Sequence, residues 1–442
     1  MDSKRGGAAR RGGRPVAAVA GGALLLLLLA LEVVPSLRRS VLSRSGGDAE
    51  HVAEPRTLDE LLLGTPLDTS AADARAAERQ RQWQQEQQER RQERKQQPTR
   101  KAAAYEAAPK GEDNAEVAIC VVSKNDHCDL REWVLYHASV GVRKFYLFDT
   151  GSKPPLTTVL DDAVASGLVE FHYLEADAEQ LADRKATVSM AAASSAGELS
   201  VELVPPEEGK GRNWQVPVFS ACLNHFGKRH KWMGFIDTDE FVLLQQGVPS
   251  VPALLERYAD YGGLVLHWRV YGTGPHILRP DGGVLASYTV CCAKHARERY
   301  HRQIKSFVQP ARTLYPEVGW VFTKGYWAVD TELNRVDRLA GPNITWEGAA
   351  LAHYLTRSLV DFLGKQARGG GSGGQRTFER YFDVAGACLE TCDAAVPLGR
   401  ALNARYDLSH GVPERCRTWS EVVARGKPGA IEPWLLQLEQ AD

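Results

Sequence analysis

An apolar hexapeptide, Val117-Ala118-Ile119-Cys120-Val121-Val122, is followed after one polar loop by a helical face and then by a second apolar run, Lys144 to Phe148. A strand covered on both faces reads as a continuous apolar run, so the hexapeptide predicts a strand of parallel sheet. Leu130, Trp133, Val134, His137 and Ala138 share one helical face, which Asp129 is placed to cap with Glu132 three residues on and Gly141 to end. Trp133 and Phe145 fall at apolar positions of the helix and strand and belong to the core. Strand, helix and strand at this spacing make a βαβ unit, with a right-handed crossover and a ligand crevice at the carboxyl ends of the strands. Those ends carry the polar loops Ser123-Lys124-Asn125-Asp126 and Asp149-Thr150-Gly151-Ser152. The chain is therefore expected to build an α/β domain whose site is made of loops.

That domain is confined to residues 117–442. Upstream, Pro15 to Leu31 carries no charge and includes six leucines from Leu24 to Leu29, with Lys4, Arg5, Arg10, Arg11 and Arg14 before it. A run of this length suits the thinner early secretory membranes, and the excess of basic residues ahead of it favours a cytoplasmic N-terminus. The expectation is a cytoplasmic tail over 1–14, a single transmembrane signal anchor over 15–37 and a low-complexity stem over 38–116, in a type II Golgi membrane protein. A cleaved signal peptide is the alternative, with Val34-Pro35-Ser36 a poor cleavage site. The stem's Arg79 to Gln97 stretch has Trp83 as its sole apolar residue, too few for a coiled-coil seam. Either reading delivers the domain to a lumen, where the eight cysteines can pair. Cys388 and Cys392, with no nearby histidine, suggest a disulfide or buried thiols rather than zinc. The sequon Asn343-Ile344-Thr345 agrees with lumenal exposure. With 54 basic against 55 acidic residues, no general field exists to hold nucleic acid. Ala191 to Gly211 and Gly369 to Gly374 read as surface insertions.

The sharpest local feature is Asp237-Thr238-Asp239-Glu240 between the apolar runs Trp232 to Ile236 and Phe241 to Leu244. Side chains alternate along a strand, so Asp237 and Asp239 are expected on one side, where two like charges need a cation or hydrogen bonds. Oxygen ligands favour Mn2+ or Mg2+ over zinc, and such an ion stabilises a departing diphosphate.

At this point the chain resembles glycosyltransferase family 92, formerly domain of unknown function 23. Lys124-Asn125-Asp126, Glu132-Trp133-Val134, Tyr136-His137, Gly141-Val142, Phe145-Tyr146 and Asp149 are similar to the family's opening block, with Asp126 where the family has Glu. Lys231-Trp232 and Asp237 to Phe241 resemble its metal-binding block. Trp268 to His276, Lys305-Ser306-Phe307, and His353-Tyr354 with Arg357-Ser358, Phe362, Lys365 and Arg368-Gly369 resemble later blocks, although Tyr271-Gly272-Thr273-Gly274 departs from the usual Phe-Gly-Ser-Ser.

The resemblance implies a GT-A type, Rossmann-like fold over 117–442, a UDP-sugar donor with galactose foremost, inverting transfer, and a glycan or polysaccharide acceptor. It implies Asp237, Asp239 and His353 as metal ligands. Asn125, Asp149, Lys365 and Arg368 are the expected nucleotide-sugar contacts, the last two sharing a helical face. Glu240 and Glu347 are candidates for the base that accepts the acceptor hydroxyl's proton. Trp268 and Tyr271 are sugar-stacking or packing residues, and the basic run Lys294 to Arg302 is either a guide for an acidic glycan or a solvated face. Two alternatives are a catalytically silent, membrane-tethered glycan-binding or scaffold protein, and a metal-dependent phosphoesterase.

Overall fold

The computed structural model describes residues 105–175, 185–190, 200–202 and 214–418, apart from 246, 297, 318, 338–342 and 369–376. The expected tail, the anchor, and the stem up to residue 104 lie outside the described residues, as do the 369–374 run and most of 191–211. Among the described residues no helix is long and apolar enough to cross a membrane.

The expected βαβ unit forms from β1 (Val117–Ser123), α1 (Leu130–Ser139) and β2 (Lys144–Asp149). After α2 (Asp161–Ala165), β3 (Val169–Glu175) adds alongside β2, and β4 (Lys185–Met190) and β5 (Ser200–Glu202) continue the sheet antiparallel. α3 (Gln215–Phe226) then leads into β6 (Trp232–Phe235), which lies parallel to β1 on its other side. The parallel core is thus β6, β1, β2 and β3, with Ser123 opposite Asp149, so the two predicted loops leave the sheet side by side.

From β6 the chain turns into β7 (Glu240–Leu244), passes α4 (Val251–Glu256) and enters the nine-residue β8 (Gly263–Tyr271). α5 (Gly283–Ser287), β9 (Val290–Cys291) and α6 (Glu298–His301) precede β10 (Ile304–Val308), which fits antiparallel between β6 and β8. A hairpin of β11 (Thr313–Glu317) and β12 (Gly319–Phe322) and the short β13 (Ala328–Val329) and β14 (Arg335–Val336) follow. β8 changes partners along its length: Gly263 to His267 pair with β10, with β13 parallel to its first residues, whereas Trp268 to Tyr271 pair in parallel with β15 (Ala349–Tyr354), which also takes β7 antiparallel, and Tyr271 meets Cys291 of β9. Gly234 lets β6 and β10 approach, because a Cβ there would stand 2.5 Å from the Phe307 ring.

A single buried face is expected of α1, yet Leu130 to Ala138 are all buried. The chain's later segment covers its outer side: Arg131 donates to the Asp407 carbonyl at 2.7 Å and forms a two-point pair with Asp162 at 2.6 and 2.9 Å. The expected cap of α1 by Asp129 is absent. Asp129 pairs instead with Arg279 and Arg357, and Glu132 accepts from the Val284 and Leu285 amides at 2.6 and 3.0 Å, holding the start of α5. Gly141 ends α1 as expected, with φ +107° and Pro252 packed where a side chain would stand. Trp133 and Phe145 are fully buried and meet edge to face.

The last described elements are α7 (Leu359–Arg368), α8 (Phe378–Ala387), β16 (Glu390–Thr391) and α9 (Val396–Arg405). All eight cysteines are paired: Cys120–Cys222, Cys128–Cys416, Cys291–Cys392 and Cys292–Cys388. Cys388 and Cys392 do not bond each other; both reach the adjacent cysteines Cys291 and Cys292, which ties β16 and the end of α8 to the sheet. The structure is mixed α/β, parallel at its centre and antiparallel at its margins.

Candidate functional site

Asp237, Thr238 and Asp239 lie in the turn between β6 and β7, not along a strand. The strand alternation expected for the two aspartates therefore does not apply, and each carboxylate finds its own partners. Glu240 closes the turn: its amide donates to the Asp237 carbonyl at 3.1 Å, and its Oε2 accepts the Asp237 amide at 2.8 Å. Two aromatics of α1 hold β7 in place through its carbonyls. Trp133 Nε1 donates to the Glu240 carbonyl and Tyr136 hydroxyl to that of Val242, both at 2.7 Å and both buried. The turn thus sits at the carboxyl end of a parallel strand, braced by the βαβ helix.

Asp237 accepts from Gln215 Nε2 at 2.7 Å and from Lys305 Nζ at 2.9 Å. Lys305 comes from β10, the neighbour of β6. Burial works against its ammonium, but Asp237 and Glu240 outweigh that and hold its pKa above the ordinary lysine range. Asp239 Oδ2 accepts from Lys365 Nζ of α7 at 2.9 Å, and its Oδ1 lies 3.5 Å from His353 Nε2. His353 reaches it because His353 is opposite Glu240 in the β15–β7 register. Burial lowers the His353 pKa against the opposing pull of Asp239, which favours the neutral imidazole. Its ring packs edge-on against Trp268, centroids 4.1 Å apart, and its buried Nδ1 has no partner. Glu240 is fully buried with Oε1 unpartnered, and desolvation raises its pKa, with Asp237 and Asp239 adding to the effect against Lys305.

A second charged layer supports the turn from below. Arg357, 2% exposed, pairs with Asp129, stands 3.8 Å from Asp126 Oδ1 and donates to the Thr238 carbonyl at 3.4 Å. Its φ of +57° is a strained conformation for a residue with a side chain, and the surrounding ion pairs hold it there. Arg279 joins Asp129 to Asp361, which also accepts from Tyr288 and Ser358.

The structure brings Asp237, Asp239, Glu240, His353 and Lys365 together. It gives Lys365 a different task from the one expected, since its ammonium donates to Asp239, to the Tyr354 carbonyl at 3.1 Å and to the Leu355 carbonyl at 3.3 Å. Three donors are all that an ammonium has, so Lys365 anchors Asp239 rather than facing phosphate oxygens. Asp149 is fully buried, and its two oxygens accept the Ser152 and Leu156 amides, which is loop capping. Asn125 clasps the adjoining loop, accepting from the Lys153 amide and donating its own amide to Ser152. Glu347 is exposed ahead of β15; Ala349 pairs with Leu244 and His353 with Glu240, so Glu347 lies at the opposite end of that ladder, more than ~13 Å along the strand from His353. The side chain of Arg368 lies outside the described residues. Sequence reasoning finds no role for Gln215, Lys305, Arg357 or Arg279. Lys305 carries a signal, a lone charge inside the apolar run Ile304 to Val308; Gln215 carries none. A cavity of about 370 Å3 lies elsewhere, between Cys128, Glu132, Arg279, Tyr406 and Cys416, and none of the expected site residues lines it.

The turn presents oxygen and nitrogen atoms of the types that divalent cations take as ligands. Among the described residues no three His, Cys, Asp or Glu groups converge as a metal centre. Asp239 Oδ1 and His353 Nε2, 3.5 Å apart, nevertheless form a pair of donors of the kind that hard cations complete with phosphate oxygens and water.

Residues 115–334 match the sequence model of Glycosyltransferase family 92. A glycosyltransferase family 92 protein of Ricinus communis is 27% identical over 209 residues, 46% of this chain and 30% of its own length. One of Arabidopsis thaliana is 25% identical over 205 residues, 44% of this chain and 29% of its own. The chain thus spans less than a third of the length of these curated relatives. Among solved structures, S. aureus TarS overlaps 44% of this chain and 28% of its own at 12% identity and a TM-score of 0.24, too slight to bear on the argument. His353, Arg357 and Lys365 fall beyond the matched residues, yet β15 and α7 bring them to the turn that the matched part supplies. Residues 115–334 are a glycosyltransferase family 92 domain.

Proposed function

We propose that this domain is an inverting, metal-dependent glycosyltransferase of GT-A type that moves a sugar, galactose foremost, from a UDP-sugar to a hydroxyl of a glycan or polysaccharide. The observation that carries the proposal is the Asp239–His353 pair at the carboxyl end of the parallel sheet, in a chain whose matched part belongs to a glycosyltransferase family. Asp239 and His353 would hold Mn2+ or Mg2+, with Asp237 beside them. The ion's chemistry there is to neutralise the charge gathering on the diphosphate as the sugar leaves.

The chain's own residues prepare that step. Lys365 holds the Asp239 carboxylate, and Glu240 ties the two ends of the turn together. Lys305 and Gln215 orient Asp237, and Lys305 sets a positive charge beside the carboxylates. Trp268 keeps the His353 ring edge-on, so that Nε2 faces Asp239. Of the two carboxylates considered as proton acceptor, Glu240 belongs to the turn and Glu347 lies down the strand.

The cellular setting we propose is the Golgi lumen, with the protein held as a single-pass type II membrane protein through residues 15–37. Support comes from the four disulfides, which persist in oxidising compartments, and from the exposed Asn343 of the sequon. The test is UDP release by the purified full chain over a panel of UDP-sugars, with and without Mn2+. Metal-dependent release with one donor, abolished in Asp239→Asn, is the expected result. Release that ignores the metal, or that survives in Asp239→Asn, sinks the proposal. Glycan binding without any UDP release would instead identify a silent binding protein.

A further inference from the structure

The basic run from Lys294 to Arg302 meets a tryptophan that carries the site's aromatic wall outward. Trp346 Nε1 donates to the Trp268 carbonyl at 3.1 Å, and Trp268 is the residue packed on His353. The Arg269 guanidinium lies over the Trp346 ring at 5.0 Å and Lys294 Nζ at 6.0 Å, while the buried His301 meets the ring edge-on at 5.2 Å. Two like charges thus share one indole.

Among the described residues neither cation has a carboxylate within ion-pair distance. Arg269 donates to Cys392 Sγ at 3.1 Å, and its buried Nε has no partner. His267, 1% exposed, has no partner at either ring nitrogen, and the buried Trp268 Nε1 has none. The acidic groups whose charge reaches this cluster are Asp330, Glu390 and Asp393, the last exposed beside Cys392 and acting with Arg269 on Tyr271. Asp330 acts on His267 but its oxygens are taken by the Glu332 and Asn334 amides and the Asn334 side chain; Glu390, which acts on His301, is exposed on β16. Buried donors without acceptors, near two cations that have no ion pair and an aromatic ring, mark a place for an anion on a ring with an apolar face.

We propose that Arg269 and Lys294, against Trp346, form a subsite for a uronic acid residue of the acceptor, its carboxylate bridging the two cations and its ring lying against the indole. A guanidinium suits a carboxylate because its N–H groups match the two oxygens. The subsite deepens the transferase proposal and rests on it only for the role of acceptor, since binding itself can be measured without turnover.

The test is calorimetric titration of the full chain with methyl β-D-glucuronide and with methyl β-D-glucoside, at about 0.05 M and about 0.5 M salt. Expected is a preference of about tenfold or more for the glucuronide at low salt, shrinking at high salt. Lys294→Gln is an exposed substitution that preserves the fold, and it should remove most of that preference while leaving glucoside affinity unchanged. Arg269→Gln should do the same, with thermal unfolding measured alongside. Equal affinity for the two glycosides, or a full preference kept in Lys294→Gln, overturns the proposal. UDP release measured on the same preparation separates the two claims: a charge-selective site without UDP release refutes the transferase and leaves the subsite standing.

Discussion

Lys365 offers a sharp test of how the site is held. Its side chain is 1% exposed and that of its partner Asp239 is 10% exposed, so the pair lies essentially out of water. Removing one partner of such a pair leaves an uncompensated buried charge, at a cost of ~3–5 kcal/mol. Lys365→Met keeps most of the volume and removes the charge, so it isolates that penalty. With an unfolding entropy near 2.1 cal/mol/K per residue, a domain of about 300 residues gains ~0.6 kcal/mol/K on melting, and the loss should lower Tm by ~5–8 °C. In Lys365→Met with Asp239→Asn the orphaned charge is gone, so Tm should recover by more than half of that drop. Scanning calorimetry on the wild type, both single variants and the double variant closes the cycle. A Lys365→Met protein melting within about 1 °C of wild type, or strictly additive shifts in the cycle, would show that the pair does not hold the turn.

Three further outcomes follow from the same geometry. Burial pushes the Glu132 carboxyl up to about 7 against the opposing Val284 and Leu285 amides, so its contribution is fully present below the unfolded value near 4.5 and is lost as pH rises through about 7. Relative to Glu132→Gln, the wild type should lose ~3 kcal/mol across that window, measured by urea denaturation at a series of pH values; a flat difference would contradict the assignment. Tyr136→Phe strips the buried Val242 carbonyl of its donor and should lower stability by ~1–3 kcal/mol, read from the urea midpoint, with UDP release falling as β7 loosens. Replacing both Cys128 and Cys416 by Ser unties the segment that covers α1, and should cost ~2–4 kcal/mol by the same measurement without changing the secondary structure seen by circular dichroism.

Part of this architecture is legible in the amino-acid sequence alone. The run Val117 to Val122 and the periodicity of Leu130 to Ala138 specify a buried strand and a helix because their periods admit no other packing, and the resulting βαβ unit dictates where a crevice opens. The carboxylates of Asp237 and Asp239 stand out because charges flanked by apolar runs need partners. Which partners they find is beyond such reasoning. Gln215, Lys305, His353 and Lys365 come from four separate elements: the β15–β7 register brings His353 to the turn, the position of β10 beside β6 brings Lys305, and α3 and α7 supply the other two. The same holds for Asp129 and Glu132, whose spacing satisfies a capping box but whose carboxylates point to Arg357 and α5 once the later chain has packed on α1. Local periodicity determined the elements and the place of the site, because those depend on neighbours in sequence. Tertiary structure decided which charge answers which, because an ion pair is chosen by distance in space across segments that sequence separation leaves unrelated.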